Sequence, residues 1–234
     1  MILNIVAVAL LAGIASGAFY GFMNILFVTP YIDRAVEIEA SRLGLSVDIA
    51  YRGWQKQGAI LAGLLAGVAY SSLFSAVYSY IASRKALTVG GGVALALLIW
   101  IVLYLMPAIK YPANPPAVGD PDTIYYRQSI YIAYMLISGI SALALALLRI
   151  RIMIRMKAGM SKNVSIVAAY ASIMVVAYIL MPPTPDTVDM TDDILTGFRV
   201  ASAFTSLSLW LMIGLTTSLL WSRTGLIKRR IHML

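Results

Sequence analysis

The sequence predicts an all-α fold: a polytopic integral membrane helix bundle of about six transmembrane helices, with a short amphipathic helix in the first outer loop. Apolar residues make up 61% of the chain and charged residues 12%, whereas a soluble domain has ~45–50% and ~25%. Six stretches approach the ~20 apolar residues that cross ~30 Å of hydrocarbon. Helices are expected because lipid-exposed backbone must form its hydrogen bonds within the segment.

These stretches occupy most of the 234 residues, so we expect a single transmembrane domain over residues 1–234 and no soluble domain. The predicted spans are 2–28, 58–83, 89–109, 124–148, 164–181 and 198–221. All ten acidic residues lie in the first, third and fifth connections: Asp33, Glu37, Glu39, Asp48, Asp120, Asp122, Asp186, Asp189, Asp192 and Asp193. Alternate connections of a membrane bundle face opposite sides, so one face is expected to carry every carboxylate.

Basic residues predict the orientation. Eleven of the 18 Lys and Arg residues lie in the second and fourth connections and the C-terminal tail, which share a side with both termini. Because short cytoplasmic loops are enriched in Lys and Arg, we expect both termini to be cytoplasmic in a multi-pass protein of the cell (inner) membrane. Only the four basic residues after the first span oppose this orientation. The net charge of +8 is thus explained by topology and does not indicate nucleic acid as a partner.

Small residues recur every four positions in three of the spans. They are Ala9, Gly13, Gly17 and Gly21 in the first, Gly63, Gly67, Ser71 and Ser75 in the second, and Ser138, Ala142 and Ala146 in the fourth. Small residues at this spacing allow helices to approach closely in lipid. The pattern predicts either tight packing within this bundle or an interface with another subunit.

The first outer loop opens with Pro30 and reaches Gly44, residues that suit a helix start and a helix stop. We expect an amphipathic helix on the membrane surface. Asp33 and Glu37, four residues apart, share one of its faces. They either contribute oxygen ligands to a hard cation or form a solvated face beside nearby arginines.

The third loop, residues 110–123, carries the most information. Its four prolines fix φ and remove backbone donors, which predicts a stiff, extended segment. Asp120 stands at a helix N-cap position, Pro121 at the first helical position and Asp122 in the first turn. These aspartates either start the fourth span, or they join the Asn114 amide as metal ligands at the mouth of the bundle.

The loop sequence KYPANPPAVGDPDT resembles the signature loop of the CbtA family of probable cobalt transporter subunits. Residues 30–35 resemble the family pattern after its first helix, and residues 198–202 resemble the start of its last helix. The resemblance implies a polytopic membrane protein linked to cobalt uptake, often accompanied by CbtB, a small histidine-bearing membrane partner. The family is commonly described with five spans, whereas this sequence predicts six.

This chain has few nitrogen- or sulfur-bearing side chains that could bind a transition metal. There is no cysteine and one histidine, His232, whereas Co²⁺ is suited by imidazole nitrogen. No Asp, Glu or His lies at the centre of a predicted span, where ion-coupled transporters usually place ionisable groups. No resident cofactor is evident; Co²⁺ is expected only as the transported ion, with a partner supplying ligands or energy.

Two functions remain open on the sequence. One is a membrane subunit of a divalent metal uptake system whose acidic outer loops collect the cation. The other is a non-transporting accessory subunit that packs against other membrane proteins through its glycine faces and loops. An enzyme is not predicted, because the chain has no HExxH motif, no nucleophile–base arrangement and no histidine cluster.

Overall fold

The computed structural model describes residues 2–116, 118–155, 160–185 and 190–223, with side chains described for all of these except Ile2 and residues 150–163. Every regular element in those ranges is helical. The α-helices are α1 (Ile2–Met23), α2 (Thr29–Leu43), α3 (Ile49–Ala82), α4 (Val89–Trp100), α5 (Met106–Lys110), α6 (Ile124–Arg155), α7 (Met160–Leu180) and α8 (Asp192–Arg223). Two π-helical segments, Asn24–Val28 and Ile101–Leu105, and one 3₁₀ turn, Pro121–Thr123, complete the set.

Five continuous helical stretches are long and apolar enough to cross a membrane: Leu3–Leu43, Ile49–Ala82, Val89–Lys110, Pro121–Arg149 and Asp192–Arg223. The shorter apolar helix Val164–Leu180 corresponds to the fifth predicted span. These six helices confirm the predicted all-α membrane fold. The prediction that residues 1–234 form one transmembrane domain stays a prediction.

The first helix does not end where the sequence analysis placed its end. The π-helical segment Asn24–Val28 joins α1 to α2 without a break, giving 41 helical residues. The carbonyl of Asn24 accepts both the backbone N–H and the hydroxyl of Thr29, so the chain continues helically into Pro30, which needs no N–H in a first turn. At ~1.5 Å per residue this helix is about 60 Å long, twice the ~30 Å thickness of the hydrocarbon layer, so it is longer than one crossing requires.

The predicted amphipathic helix is α2, and its ends match the sequence signals. Pro30 occupies its first turn, and Gly44 ends it with φ +66°, the left-handed conformation that glycine adopts at low cost. The following helix, α3, begins nine residues before the predicted span, because the Asp48 carboxylate accepts the Tyr51 backbone N–H at 3.0 Å and caps it.

The chain forms two compact units. Unit 1 comprises residues 1–100, 114–118 and 190–234, and unit 2 comprises residues 101–113 and 119–189. In unit 1, α1 packs against α3, and α8 packs against both α1 and α4. In unit 2, α6 packs against α7 and around the second π-helical segment. The core of unit 2 consists of Tyr111, Ile130, Tyr134, Met174 and Ala177.

The glycine stripes of α1 and α3 face each other within unit 1. A Cβ atom added at Gly13 would stand 2.6 Å from the Cα of Val68, and one added at Gly17 would stand 2.5 Å from the carbonyl oxygen of Gly63. Distances this short show that the backbones of α1 and α3 are in direct contact. For these two helices, the prediction of tight packing within the bundle is therefore confirmed.

Candidate functional site

Asp120 and Asp122 lie in unit 2 at the start of the fourth span, as the capping interpretation predicted. The Asp120 carboxylate oxygen Oδ1 accepts the backbone N–H of Asp122 at 2.9 Å, and Pro121 follows in the first turn. The Asp120 carbonyl accepts the Thr123 hydroxyl at 2.8 Å. Both carboxylates are exposed to solvent. Their geometry serves helix initiation and leaves carboxylate oxygens facing solvent.

Asn114 lies in unit 1, where its side chain has a structural partner. Its Oδ1 accepts a hydrogen bond from Nη2 of Arg199 at 2.9 Å. The adjacent Pro115 is fully buried. This bond fastens the loop to α8 and occupies one lone pair of the amide oxygen. That Asn114, Asp120 and Asp122 act as metal ligands stays a prediction.

Asp33 on α2 is the best-partnered carboxylate among the described residues. One of its oxygens lies 2.5 Å from Nη2 of Arg52 and the other lies 2.9 Å from Nζ of Lys56, both on α3. Burial alone would raise the pKa of the Asp33 carboxyl, but the hydrogen bonds and charges of Arg52 and Lys56 outweigh burial and lower that pKa. Asp33 therefore pairs with two cations of the next helix, whereas the sequence had suggested nearby arginines as its neighbours. Neutralised in this way, Asp33 is poorly suited to bind a metal.

The remaining predicted carboxylates and the histidine lie partly within and partly outside the described residues. Asp192 and Asp193 are exposed in the first turn of α8, where negative charge favours the helix N-terminus. Asp186, Asp189 and His232 lie outside the described residues. Within the part of the chain that the structure describes, no three His, Cys, Asp or Glu side chains are grouped so that they could hold a metal ion.

In unit 2, backbone carbonyls near Pro182 and in the π-helical segment accept hydrogen bonds from polar side chains. Pro182 has no N–H, so the Tyr178 carbonyl four residues earlier loses its helical partner; Nζ of Lys110 donates to it at 2.7 Å. The Tyr111 hydroxyl donates to the Pro182 carbonyl at 2.6 Å. These contacts connect the end of α5 to the end of α7. None of these contacts was predicted from the sequence, although Pro182 itself marks the end of a helix.

A second polar set lies deeper in unit 2. The fully buried Ser138 hydroxyl lies 2.5 Å from the carbonyl of Val102, inside the π-helical segment, and 2.6 Å from the Tyr170 hydroxyl. The Tyr134 hydroxyl donates to the Met174 carbonyl at 3.1 Å. The hydroxyls of Tyr134 and Tyr170 therefore each have a partner within unit 2, as buried phenols usually do.

Unit 1 contains hydroxyl groups without such partners. Ser71 and Ser75 of α3 and Thr217 of α8 are fully buried, and their oxygens have no hydrogen bond to any described residue. A buried hydroxyl without a partner costs about 1–3 kcal/mol. Three of them would be a large fraction of the ~5–15 kcal/mol by which proteins are typically stable. In the sequence, Ser71 and Ser75 belong to a pattern of small residues that predicts close helix packing.

The comparisons with known proteins agree with the fold. The model of the family described as "Probable cobalt transporter subunit (CbtA)" matches residues 2–222. No curated protein and no solved structure is matched by this chain. The matched range covers nearly the whole sequence, including all six apolar helices and the proline-rich third loop. This chain, a multi-pass membrane protein, therefore belongs to the CbtA family of probable cobalt transporter subunits.

Proposed function

We propose that the protein is the membrane subunit of a cobalt uptake system in which carboxylates of the outer loops collect the cation. Membership of a transporter-subunit family implies a non-enzyme. The observation that carries the proposal is the placement of charge: the described carboxylates lie in α2, at N-caps or in first helical turns, away from the middle of the apolar helices, and six of the eight are exposed. Exposed carboxylates at a membrane surface raise the local concentration of cations within the ~8–10 Å that salt allows.

Asp120 and Asp122 are the proposed first contacts for the ion. They stand two residues apart beside a stiff proline-rich segment, and the N-cap bond engages only one of the Asp120 oxygens. Oxygen ligands of this kind bind a hydrated divalent cation weakly, which suits collection rather than storage. Asn114 is a proposed additional oxygen donor, through the lone pair that Arg199 leaves available.

A partner subunit completes the proposed pathway. Co²⁺ is suited by imidazole nitrogen, and this chain has one histidine and no cysteine. The central parts of the described spans carry no acidic side chain that would couple transport to another ion. We therefore assign nitrogen ligands, energy or both to a second membrane subunit, for which a small histidine-bearing protein is the proposed candidate. Both termini are proposed to be cytoplasmic, which turns the acidic loops outward.

Accumulation of radioactive cobalt tests this proposal. Cells expressing the chain together with its genomic neighbour should accumulate more cobalt than cells expressing either protein alone. The variant Asp120→Asn/Asp122→Asn should lower uptake at limiting cobalt, because it removes two charges. Asparagine is also a good N-cap, so the start of the fourth span should be retained and expression should be normal.

The matched control is Asp48→Asn. Asp48 is likewise an exposed N-cap carboxylate of an outer connection, and its Oδ1 accepts the Tyr51 N–H. Equal uptake by both variants would exclude a special role for Asp120 and Asp122. Cells that accumulate no cobalt with or without the neighbour would overturn the transport proposal and favour the accessory-subunit function.

A further inference from the structure

The interior of unit 1 contains three side-chain hydroxyls that do not donate a hydrogen bond to a carbonyl of their own helix. Serine and threonine in a helix commonly donate to a carbonyl one turn earlier in their own helix. Ser72, next to Ser71, does so to Val68 at 2.7 Å, and Ser218, next to Thr217, does so to Gly214 at 2.6 Å. Ser71, Ser75 and Thr217 make no such bond, although each is fully buried.

The three hydroxyls belong to helix faces that meet. Ser71 and Ser75 lie four residues apart on the buried face of α3, so they are neighbours along that face. Ser71 and Ser75 continue the α3 stripe of small residues that faces α1. On the adjoining face, Tyr70 and Tyr78 contact Trp210 and Trp221 of α8, with ring centroids 5.3 and 5.5 Å apart, and Thr217 lies between these two tryptophans in α8. The three hydroxyls therefore belong to the part of unit 1 where α1, α3 and α8 pack together.

The surroundings of these hydroxyls are neutral. Residues 2–23 of α1, 57–82 of α3 and 200–222 of α8 contain no Asp, Glu, Lys or Arg. A divalent cation there would have no charge to compensate it, which is strongly unfavourable in a low-dielectric interior. Water needs no such compensation, and buried water typically forms ~3 hydrogen bonds to polar groups that lack other partners.

We infer that unit 1 holds internal water where α1, α3 and α8 pack together, hydrogen-bonded to Ser71, Ser75 and Thr217. The water supplies the partners that these hydroxyls lack among the described residues. It forms a hydrated layer within the membrane-embedded part of the protein. This inference does not depend on which ion, if any, is transported.

Hydroxyl-radical footprinting of the full chain in lipid nanodiscs tests the inference. Millisecond X-ray exposure generates radicals from water, and side chains beside bound water are oxidised even when bulk solvent is excluded. Phe74 and Tyr78 serve as probes, because they flank Ser75 on α3 and are 0% and 1% exposed. We expect both to be oxidised within milliseconds, whereas Tyr134 of unit 2, which is 2% exposed and whose hydroxyl already donates to the Met174 carbonyl, should react more slowly than Tyr78.

The variant Ser71→Ala/Ser75→Ala/Thr217→Val should lose this oxidation, because the ligands of the water are removed. The control Ser72→Ala/Ser79→Ala removes two hydroxyls that bond carbonyls of their own helix, and it should keep the wild-type pattern. If the triple variant does not fold, Ser75→Ala alone should reduce the oxidation. Protected Phe74 and Tyr78 in the wild-type protein, or oxidation unchanged by these substitutions in folded protein, would overturn the inference.

Discussion

The close approach of α1 and α3 predicts that two glycine-to-alanine substitutions have opposite effects. In Gly17→Ala the new methyl group would stand 2.5 Å from the Gly63 carbonyl oxygen and 2.8 Å from Cα of Leu64. Since carbon contacts are optimal at ~3.5–4.0 Å, the helices must separate by about 1 Å. The obstacles are backbone atoms, so no side-chain rotation can relieve them.

The expected magnitude follows from two opposing terms. Overpacking of this kind costs about 1–3 kcal/mol, and a gap of ~0.5–1 Å along the rest of the interface loses a quarter to a half of each dispersion contact. Alanine regains at most ~1 kcal/mol over glycine in helix propensity. We expect Gly17→Ala to lower the free energy of unfolding by about 1–2 kcal/mol.

Gly53→Ala is the matched control, because a Cβ atom added at Gly53 of α3 meets nothing within 4 Å. There the propensity term acts alone, and the variant should be more stable by about 0.5–1 kcal/mol. Reversible unfolding in mixed detergent micelles, followed by circular dichroism, measures both changes. If Gly17→Ala were as stable as Gly53→Ala, the backbone contact between α1 and α3 would be refuted.

Three further substitutions test individual bonds, each by its change in thermal stability. Lys110→Met should destabilise by about 1 kcal/mol, because the Tyr178 carbonyl freed by the proline loses its donor. Ser138→Ala should cost about 1–3 kcal/mol, because it leaves the Val102 carbonyl buried without that donor. Asp33→Asn should destabilise at neutral pH. Because its carboxyl pKa is lowered on folding, the ion pairs contribute fully above the usual value of 3.8 and lose their contribution as pH falls through the lower folded pKa.

Exposed residues of the same type provide the controls. Lys85→Met, Ser129→Ala and Glu37→Gln alter exposed side chains, and each should change stability by less than about 0.5 kcal/mol. The loss of stability caused by Asp33→Asn, relative to the wild-type protein, should become smaller below pH 3.8. Glu37→Gln should cause no such loss. A Lys110 or Ser138 variant as stable as its control would exclude the corresponding bond, and a deficit of Asp33→Asn that grew on acidification would contradict the sign of the pKa shift.

Local signals in the sequence were sufficient for much of the fold. Pro30 and Gly44 mark the ends of α2, and Asp120 with Pro121 marks the start of the fourth span, because capping depends on residues within one turn. The glycine stripes predicted close packing, since a missing side chain is itself the interface. What the stripes left open was the partner helix, which depends on contacts distant in sequence.

Other features were beyond local reasoning. The π-helical segment Asn24–Val28 depends on how Thr29 satisfies a backbone carbonyl, so the continuity of α1 and α2 was missed. The ion pairs of Asp33 were not predicted, because its partners, Arg52 and Lys56, belong to the next helix. Whether a buried serine bonds its own helix or faces the interior is likewise decided by tertiary packing.

Thiol labelling in intact cells tests most directly the claim that all carboxylate-bearing loops face outward. The chain has no cysteine, so Ala113→Cys in the third loop and Ala86→Cys in the second provide single, exposed labelling sites. An impermeant maleimide should label Ala113→Cys in intact cells and should label Ala86→Cys only after the membrane is opened. Labelling of both positions from the same side, or of Ala86→Cys alone in intact cells, would contradict the claim.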